Sequence, residues 1–477
     1  MLCRTGFFFT KNAVVLNTLA QSKVSRLSIA PRAKFSLSQM FSRITRSTRS
    51  YSTIPANANV QSPILNSVKA STISVSKPGP TVISHKYVGY WLLATSGLVF
   101  GIVVLGGLTR LTESGLSITE WKPITGAIPP MNQKEWEEEF DKYKSSPEFQ
   151  QLNSHITLEE FKFIFKMEWA HRLMGRAIGM FFVLPALYFW KSGKMSTHVS
   201  KRVLGLTGLL GLQGAIGWWM VKSGLDEESL AERKSKPTVS QYRLTTHLAA
   251  AFLLYLGVLS TGFEILTENK WLKNANKPEM FQNIIEKLNN PALRKIAPFR
   301  FALLGLAFAT AMSGGMVAGL DAGLIYNTFP HMGDDIVPSV NELMSPVYAR
   351  KADQSDLWWR NLLENPTTVQ LVHRILATTV FFTVAGTYLF CSRNKAMFPK
   401  ATLKRAHGIM GLVTLQVALG ITTLIYLVPI PLGSAHQAGA LALLTGCLAF
   451  SASLRKPRPA AVSYINQAMK NQLLKKN

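Results

Sequence analysis

Acidic residues are missing from the first quarter of the chain: between Met1 and Thr112 there is no Asp or Glu, and the first acid is Glu113. Much of the formal net charge of +26 is therefore a property of the N-terminal segment. Cysteine is nearly absent as well. Cys3, Cys391 and Cys447 lie too far apart for a CxxC-type metal or redox site, and they offer no disulfide framework. Charge of either sign is scarce, at 16% of residues against about 25% in soluble domains, while 47% are hydrophobic. That balance points to a membrane protein. No basic face interleaved with aromatics is present, so nucleic acid is not expected as a partner.

Residues 1–51 carry Arg4, Lys11, Lys23, Arg26, Arg32, Lys34, Arg43, Arg46 and Arg49, many serines and no acid. This composition is that of a mitochondrial transit peptide. The stretch Arg49-Ser50-Tyr51-Ser52 resembles a matrix-peptidase site cut after Tyr51. Residues 52–86, rich in Ser, Pro and Lys, read as a disordered matrix tail.

Eight runs are long and apolar enough to span a bilayer: Tyr87–Leu108, Glu168–Trp190, Val203–Val221, Leu244–Phe263, Phe301–Leu320, Val369–Ser392, Ala406–Leu427 and Gly433–Leu454. The loops after spans two and six, and the C-terminal tail, are rich in Lys and Arg and free of acid. By the positive-inside rule both termini lie on one side, the matrix side of the mitochondrial inner membrane. Loops 109–167 and 321–366 then face the intermembrane space.

The chain repeats itself. Gly106-Gly107 and Glu113-Ser114-Gly115-Leu116 recur as Gly314-Gly315 and Asp321-Ala322-Gly323-Leu324. Leu212-Gln213-Gly214-Ala215-Ile216-Gly217 in span three matches Leu415-Gln416-Val417-Ala418-Leu419-Gly420 in span seven. A unit of four spans crosses the membrane an even number of times, so both copies have one orientation. The expected fold is an all-α membrane protein of eight transmembrane helices, built as two pseudo-symmetric four-helix bundles in a parallel tandem repeat. The expected division is an N-terminal half at 87–263, a matrix linker at 264–300, a C-terminal half at 301–454 and a matrix tail at 455–477.

Four histidines sit near the starts of the even-numbered spans: His171, His247, His373 and His436. The even spans all begin on the same side, so the four lie at similar depth. The repeat pairs His171 with His247 and His373 with His436. A lone His in a membrane helix is more often a hydrogen-bond partner than a ligand, but two matched pairs favour ligation. Two His alone under-coordinate zinc, which takes three or four protein ligands. They suit heme, whose porphyrin supplies the other four nitrogens. Arg172 and Arg374 follow His171 and His373, and Arg243 precedes His247 by one turn. These are candidate heme-propionate contacts, or else side chains reaching for headgroups.

The stretch Glu168-Trp169-Ala170-His171-Arg172 resembles the ExxHR motif of heme A synthases. The resemblance runs from about Lys86 to Leu454 and takes in the GG…ESGLS and GG…DAGL pair and the four histidines. It implies oxidation of the C8 methyl of heme O to a formyl group through a hydroxymethyl intermediate, supplying heme A to cytochrome c oxidase. It further implies heme b as cofactor on His373 and His436, and substrate heme O on His171 and His247. Span six has Gln370 where span two has Glu168, so the halves share ligands but differ in the acid. Glu168 is thus the expected catalytic residue, moving protons or stabilising a cationic carbon. Its structural alternative is an ion pair with Arg172.

Many bacterial members of the family carry a cysteine pair in the first outer loop, and this chain has none there. Electrons must come by another route, and the mitochondrial setting suggests a ferredoxin with its reductase. Heme O synthase, oxidase assembly factors and a homo-oligomer are further candidate partners on which the sequence is silent. Rival readings are a bis-His b-type cytochrome, a heme-carrying assembly factor, and a transporter using Gln213 and Gln416 as its mid-membrane polar residues.

Overall fold

A computed structural model describes residues 81–474 apart from positions 124, 234–235, 276, 292 and 294–297. The transit peptide and most of the N-terminal tail fall outside these residues. Eight helices are long and apolar enough to cross a membrane. They are α1 (Lys86–Leu111), α2 (Leu158–Lys191), α3 (Thr197–Leu225), α4 (Gln241–Lys273), α5 (Phe299–Gly319), α6 (Pro366–Arg393), α7 (Lys400–Ile425) and α8 (Ile430–Ser453). Among the described residues there is no strand beyond one isolated bridge between Met332 and Asp335. The eight expected spans are all present, each within a longer helix or shifted from it by a residue or two.

Local chemistry sets the helix starts. Thr157 and Glu160 close a capping box at the start of α2, satisfying two orphan backbone N–H groups. Ser196 caps α3. Asn365 caps α6, with Pro366 at its first position, where a missing N–H costs nothing. The ends of α1 and α5 share a device. Glu113 and Asp321, equivalent in the repeat, both take a left-handed backbone, with φ of 50° and 51°. Each reverses the chain into an outer loop. The short side chain of Asp321 suits this region, which Asp enters more readily than most residues.

Each half packs as a closed ring: α1 on α2, α2 on α3, α3 on α4 and α4 on α1, then the same order for α5 to α8. The halves meet through α4 on α5, α8 on α1 and α8 on α4. Half of the apolar window of α4 is buried, against 11% of that of α3. The inner helices therefore turn most of their apolar surface to protein, and the outer ones turn it outward, where only lipid can cover it. Polar contacts also cross between the halves, among them three that involve the spans or their ends. Gln437 Nε2 donates to Val103 O at 3.0 Å, Tyr255 and Thr445 share a hydroxyl hydrogen bond of 2.7 Å, and Arg110 pairs with Asp321 at 2.6 Å.

Three segments are more ordered than their composition suggests. Residues 81–86, read as tail, pack on the turn between α2 and α3. There Ser84 Oγ bonds Ser196 at 3.1 Å and His85 N–H donates to Lys194 O at 2.9 Å. The expected linker at 264–300 opens with three more turns of α4 and contains a helix at Pro278–Asn289. The expected tail holds a helix at Pro459–Leu474, whose Ile465 and Met469 bury against Ala275 and Phe281 of that linker. Buried Glu264 and Glu268, at the end of α4, fasten these segments. Glu264 pairs with Arg202 at 2.7 Å and Arg455 at 2.6 Å, and Arg458 grips Glu268 with both nitrogens. Serine-rich and charged composition conceals such order, because it depends on partners far along the chain.

On the opposite face α2 outruns the membrane. Its 34 residues span about 50 Å at about 1.5 Å per residue. The surplus turns carry Phe161 and Phe165, which pack with Phe140 and Tyr143 of a helix at Gln133–Lys144 into a small separate core. Glu148 is buried under this core, and the Tyr143 hydroxyl donates to it at 3.0 Å. Burial pushes the Glu148 carboxyl up to about 8, and the charges of Glu168 and Glu113 add to the effect. Its ordinary value is 4.5. A folded-state value raised above the unfolded one gives stability that is full below pH 4.5 and lost as pH rises through about 8. Hydrogen exchange over residues 133–165, corrected for intrinsic rates, should show stronger protection at pH 5 than at pH 8. Glu148→Gln should abolish that difference, and an unchanged pH dependence in the variant would contradict the assignment.

Candidate functional site

All four histidines are built into their helix pairs in one way. Each ring lies where a glycine on the preceding span leaves out a side chain. A Cβ at Gly106 would stand 2.8 Å from His171 Cε1, at Gly217 3.0 Å from His247, at Gly314 3.1 Å from His373, and at Gly420 2.9 Å from His436. These are distances that real Cβ atoms avoid, so no larger residue fits without moving the ring. The double glycines divide their work. Gly106 and Gly314 receive the histidine of their own half. Gly107 and Gly315 face the other half, against Gln437 and against Thr245 and Leu248 respectively. Small residues let helices approach closely in membranes, and here that approach is what places the imidazoles.

Three of the four rings are held at Nδ1. Gln213 Nε2 lies 3.1 Å from His247 Nδ1 and donates to the His247 carbonyl at 2.9 Å. Gln416 does the same for His436, at 3.2 and 3.0 Å. Ser313 Oγ lies 2.8 Å from His373 Nδ1. Nδ1 of His171 is buried without a partner, and Leu105 stands where the repeat would place a second serine. A ring held by one nitrogen presents the other in a fixed direction, which is how ligand histidines are commonly oriented. The two glutamines, read as candidate transporter residues, serve instead as orienters of histidine. Their position four residues before Gly217 and Gly420 was the available signal.

His373 and His436 face each other with ring centroids 6.5 Å apart and planes at 86°. Two metal–nitrogen bonds of about 2 Å each, plus the ring radii, fill a gap of about this size. His171 and His247 make no such ring contact. Among the described residues no group of three or more His, Cys, Asp or Glu is placed to hold a metal ion. Two imidazoles fit an iron whose remaining ligands come with it, as in a porphyrin. Cys391 and Cys447 are buried and free, and take no part.

The charged residues beside the histidines are loop anchors. Glu168 is 3% exposed. Its Oε2 accepts from Ser117 Oγ at 2.7 Å and from Ile118 N–H at 2.8 Å, and its Oε1 pairs with Arg172 at 2.6 Å. Gln370 occupies the matching place in α6, where its amide donates to the carbonyls of Ala322 at 2.8 Å and Tyr326 at 3.1 Å. The first outer loop thus offers donors to position 168, and the second offers acceptors to position 370. The acid and the amide each complement their loop. Arg172 also donates to Ile118 O, and Arg176 donates to the carbonyls of Lys122 and Pro123. Arg374 reaches four carbonyls between Tyr326 and His331. Arg243 donates to Trp219 O at 2.8 Å and stacks on its ring. All three candidate propionate contacts therefore have protein hydrogen-bond partners.

The cytochrome oxidase assembly protein family, COX15-CtaA, matches residues 89–448. The chain belongs to that family. Heme A synthase COX15 of Saccharomyces cerevisiae is 64% identical over 79% of this chain and 76% of its own length. Its human counterpart is 45% identical over 79% of this chain and 85% of its own. A heme A synthase-mitochondrial ferredoxin fusion protein of Schizosaccharomyces pombe is 50% identical over 78% of this chain, which spans 60% of the fusion. The matched region contains all four histidines, their glycines and both outer loops, and it bears out the resemblance read from the ExxHR stretch.

The glycine fit makes a direct prediction. Gly420→Ala forces a shift of His436 and should cost roughly 1–3 kcal/mol of site packing, lowering bound heme about tenfold. Gly408→Ala on the same helix meets nothing within 4 Å and should leave heme content unchanged. Both are read from the Soret absorbance per mole of purified protein, and equal heme in the two variants would contradict the role of Gly420.

Proposed function

We propose that this protein is a heme A synthase, the function carried by its relatives in yeast, human and bacteria. The observation that carries the reading is the set of four partly buried histidines, each seated against a glycine and paired two to a half. The reaction is oxidation of the C8 methyl of heme O to a formyl group, by way of a hydroxymethyl heme. The protein lies in the mitochondrial inner membrane as a multi-pass chain with both termini in the matrix, consistent with its basic loops and eight spans.

The C-terminal half holds heme b between His373 and His436, whose ring separation suits one shared iron. When bound there, that group supplies one-electron chemistry. The N-terminal half binds heme O through His171 and His247, the two halves being related by an axis along the membrane normal. His171 is the ring without a partner at Nδ1, which leaves it freer than the other three to follow an exchanging ligand. Glu168 holds the first outer loop over this half, and its carboxylate relays a proton during methyl oxidation. Ser117 Oγ, 2.7 Å away, offers that proton a way to the loop. Electrons come from a ferredoxin and its reductase, a pairing supported by the fused relative in fission yeast, and together with those of the methyl carbon they reduce dioxygen, the oxidant such a donor requires.

Heme extraction tests the proposal. The chain from Ser52 onward, expressed in a bacterium that makes heme O but not heme A, should yield heme A or its hydroxymethyl precursor on reversed-phase chromatography. Glu168→Gln should retain heme and yield neither. Heme b and heme O without oxidised product from the wild type, under an active reductant supply, would point instead to a b-type cytochrome or a heme carrier.

A further inference from the structure

A cavity of about 370 Å³ opens between the first outer loop and the outer end of α3. Ile118, Trp121, Arg172, Trp218, Val221 and Lys222 contribute to its wall. Its place relative to the histidines follows from helix geometry. On α3, which runs outward, Val221 is four residues beyond Gly217, the glycine that receives His247. On α2, which runs inward, Glu168 lies three residues before His171, and it binds the Ile118 N–H of the cavity wall. Both steps are about one helical turn, or about 5 Å, toward the outer loops. The cavity therefore lies about one helical turn to the outer side of His171 and His247.

Lys222 stands in this wall without an ion pair. Its ammonium lies 5.8 Å from the centre of the Trp218 ring, which in turn stacks on Trp121 at 5.3 Å. The other cation of the wall, Arg172, is matched by Glu168 at 2.6 Å. Of the wall's acids, Glu120 is bound by Lys122 at 2.7 Å and Lys142 at 3.1 Å, and Asp226, the C-cap of α3 four residues beyond Lys222, has an interaction of its own. The second half is built differently at this point. Aligned on Gln213 with Gln416 and on Gly217 with Gly420, the counterparts of Trp218, Val221 and Lys222 are Ile421, Leu424 and Ile425. An ammonium over an indole appears only in the half whose heme must enter and leave.

We infer that Lys222 binds a carboxylate of the substrate heme, with the cavity lined by Trp121 and Trp218 as the pocket for that edge of the porphyrin. The inference rests on the proposed function and adds a residue to it. The same cation would also attract a lipid phosphate, so the two sources are separated in the test.

The full chain, in bilayer discs of phosphatidylcholine alone, is titrated with ferric heme O and with its dimethyl ester, following the Soret band. Lys222→Met should bind the free acid about tenfold more weakly than wild type, as expected for loss of a charge-assisted hydrogen bond. The ester should bind both proteins equally, and Lys222→Arg should restore most of the loss. Equal affinity of wild type and Lys222→Met for the free acid would overturn the inference. So would an equal loss for the ester, which would show a structural role. A difference seen only after anionic lipid is added to the discs would assign Lys222 to headgroups and overturn it too. Wild type that takes up no heme O at all would contradict the proposed function itself.

Discussion

The structure depends on a steric exchange repeated four times: a glycine on an odd-numbered helix gives up its side chain so that an imidazole on the next helix can occupy the space. A Cβ at any of these glycines would stand 2.8 to 3.1 Å from a ring carbon. Interiors packed to crystal-like density have no slack to absorb such an overlap. The glycine therefore fixes both the helix spacing and the depth of the ring. The neighbouring Gly107 and Gly315 extend the constraint across the halves, so that the two sites and the central helices are set by one short motif. A charged or polar side chain in this environment is costly unless it is partnered, and three of the four rings have their Nδ1 partner.

Much of this was legible in the sequence. The eight spans follow from apolar length, the pairing of the histidines from the repeat, and the start of α2 from the Thr157–Glu160 box. What could not be read was which residue each functional group touches. Arg172 and Arg374 lie beside histidines, and their charge suggested propionates or headgroups. They donate to backbone carbonyls 44 to 54 positions away in sequence. No periodicity encodes a contact of that kind. Gln213 and Gln416 were conspicuous as polar residues within apolar helices, yet their role appeared only once His247 and His436 stood beside them. Glu148 gave no signal, because a loop carboxylate becomes unusual only when Tyr143 and the aromatic core close over it.

The two halves are alike in what holds the rings and unlike in what surrounds them. Ser313 partners His373, whereas Leu105 leaves His171 without a partner. Gln370 donates to its loop, whereas Glu168 accepts from its own. Lys222 and Trp218 open a polar, aromatic vestibule where Ile425 and Ile421 present only apolar surface. Each difference loosens or polarises the N-terminal half. A resident cofactor calls for a closed and fully satisfied site, while an exchanging substrate calls for access and for groups that change partners. In the proposed function, the two halves divide these needs between them.

The central claim is that each half holds its own heme between its own two histidines. The most direct test is heme stoichiometry in the purified chain loaded with heme O, measured for the wild type and for alanine variants of the four histidines. The account predicts two hemes per chain. It also predicts that His373→Ala or His436→Ala removes the heme b, that His171→Ala or His247→Ala removes the heme O, and that each leaves the other in place. A single heme per chain, lost with any of the four histidines, would contradict it.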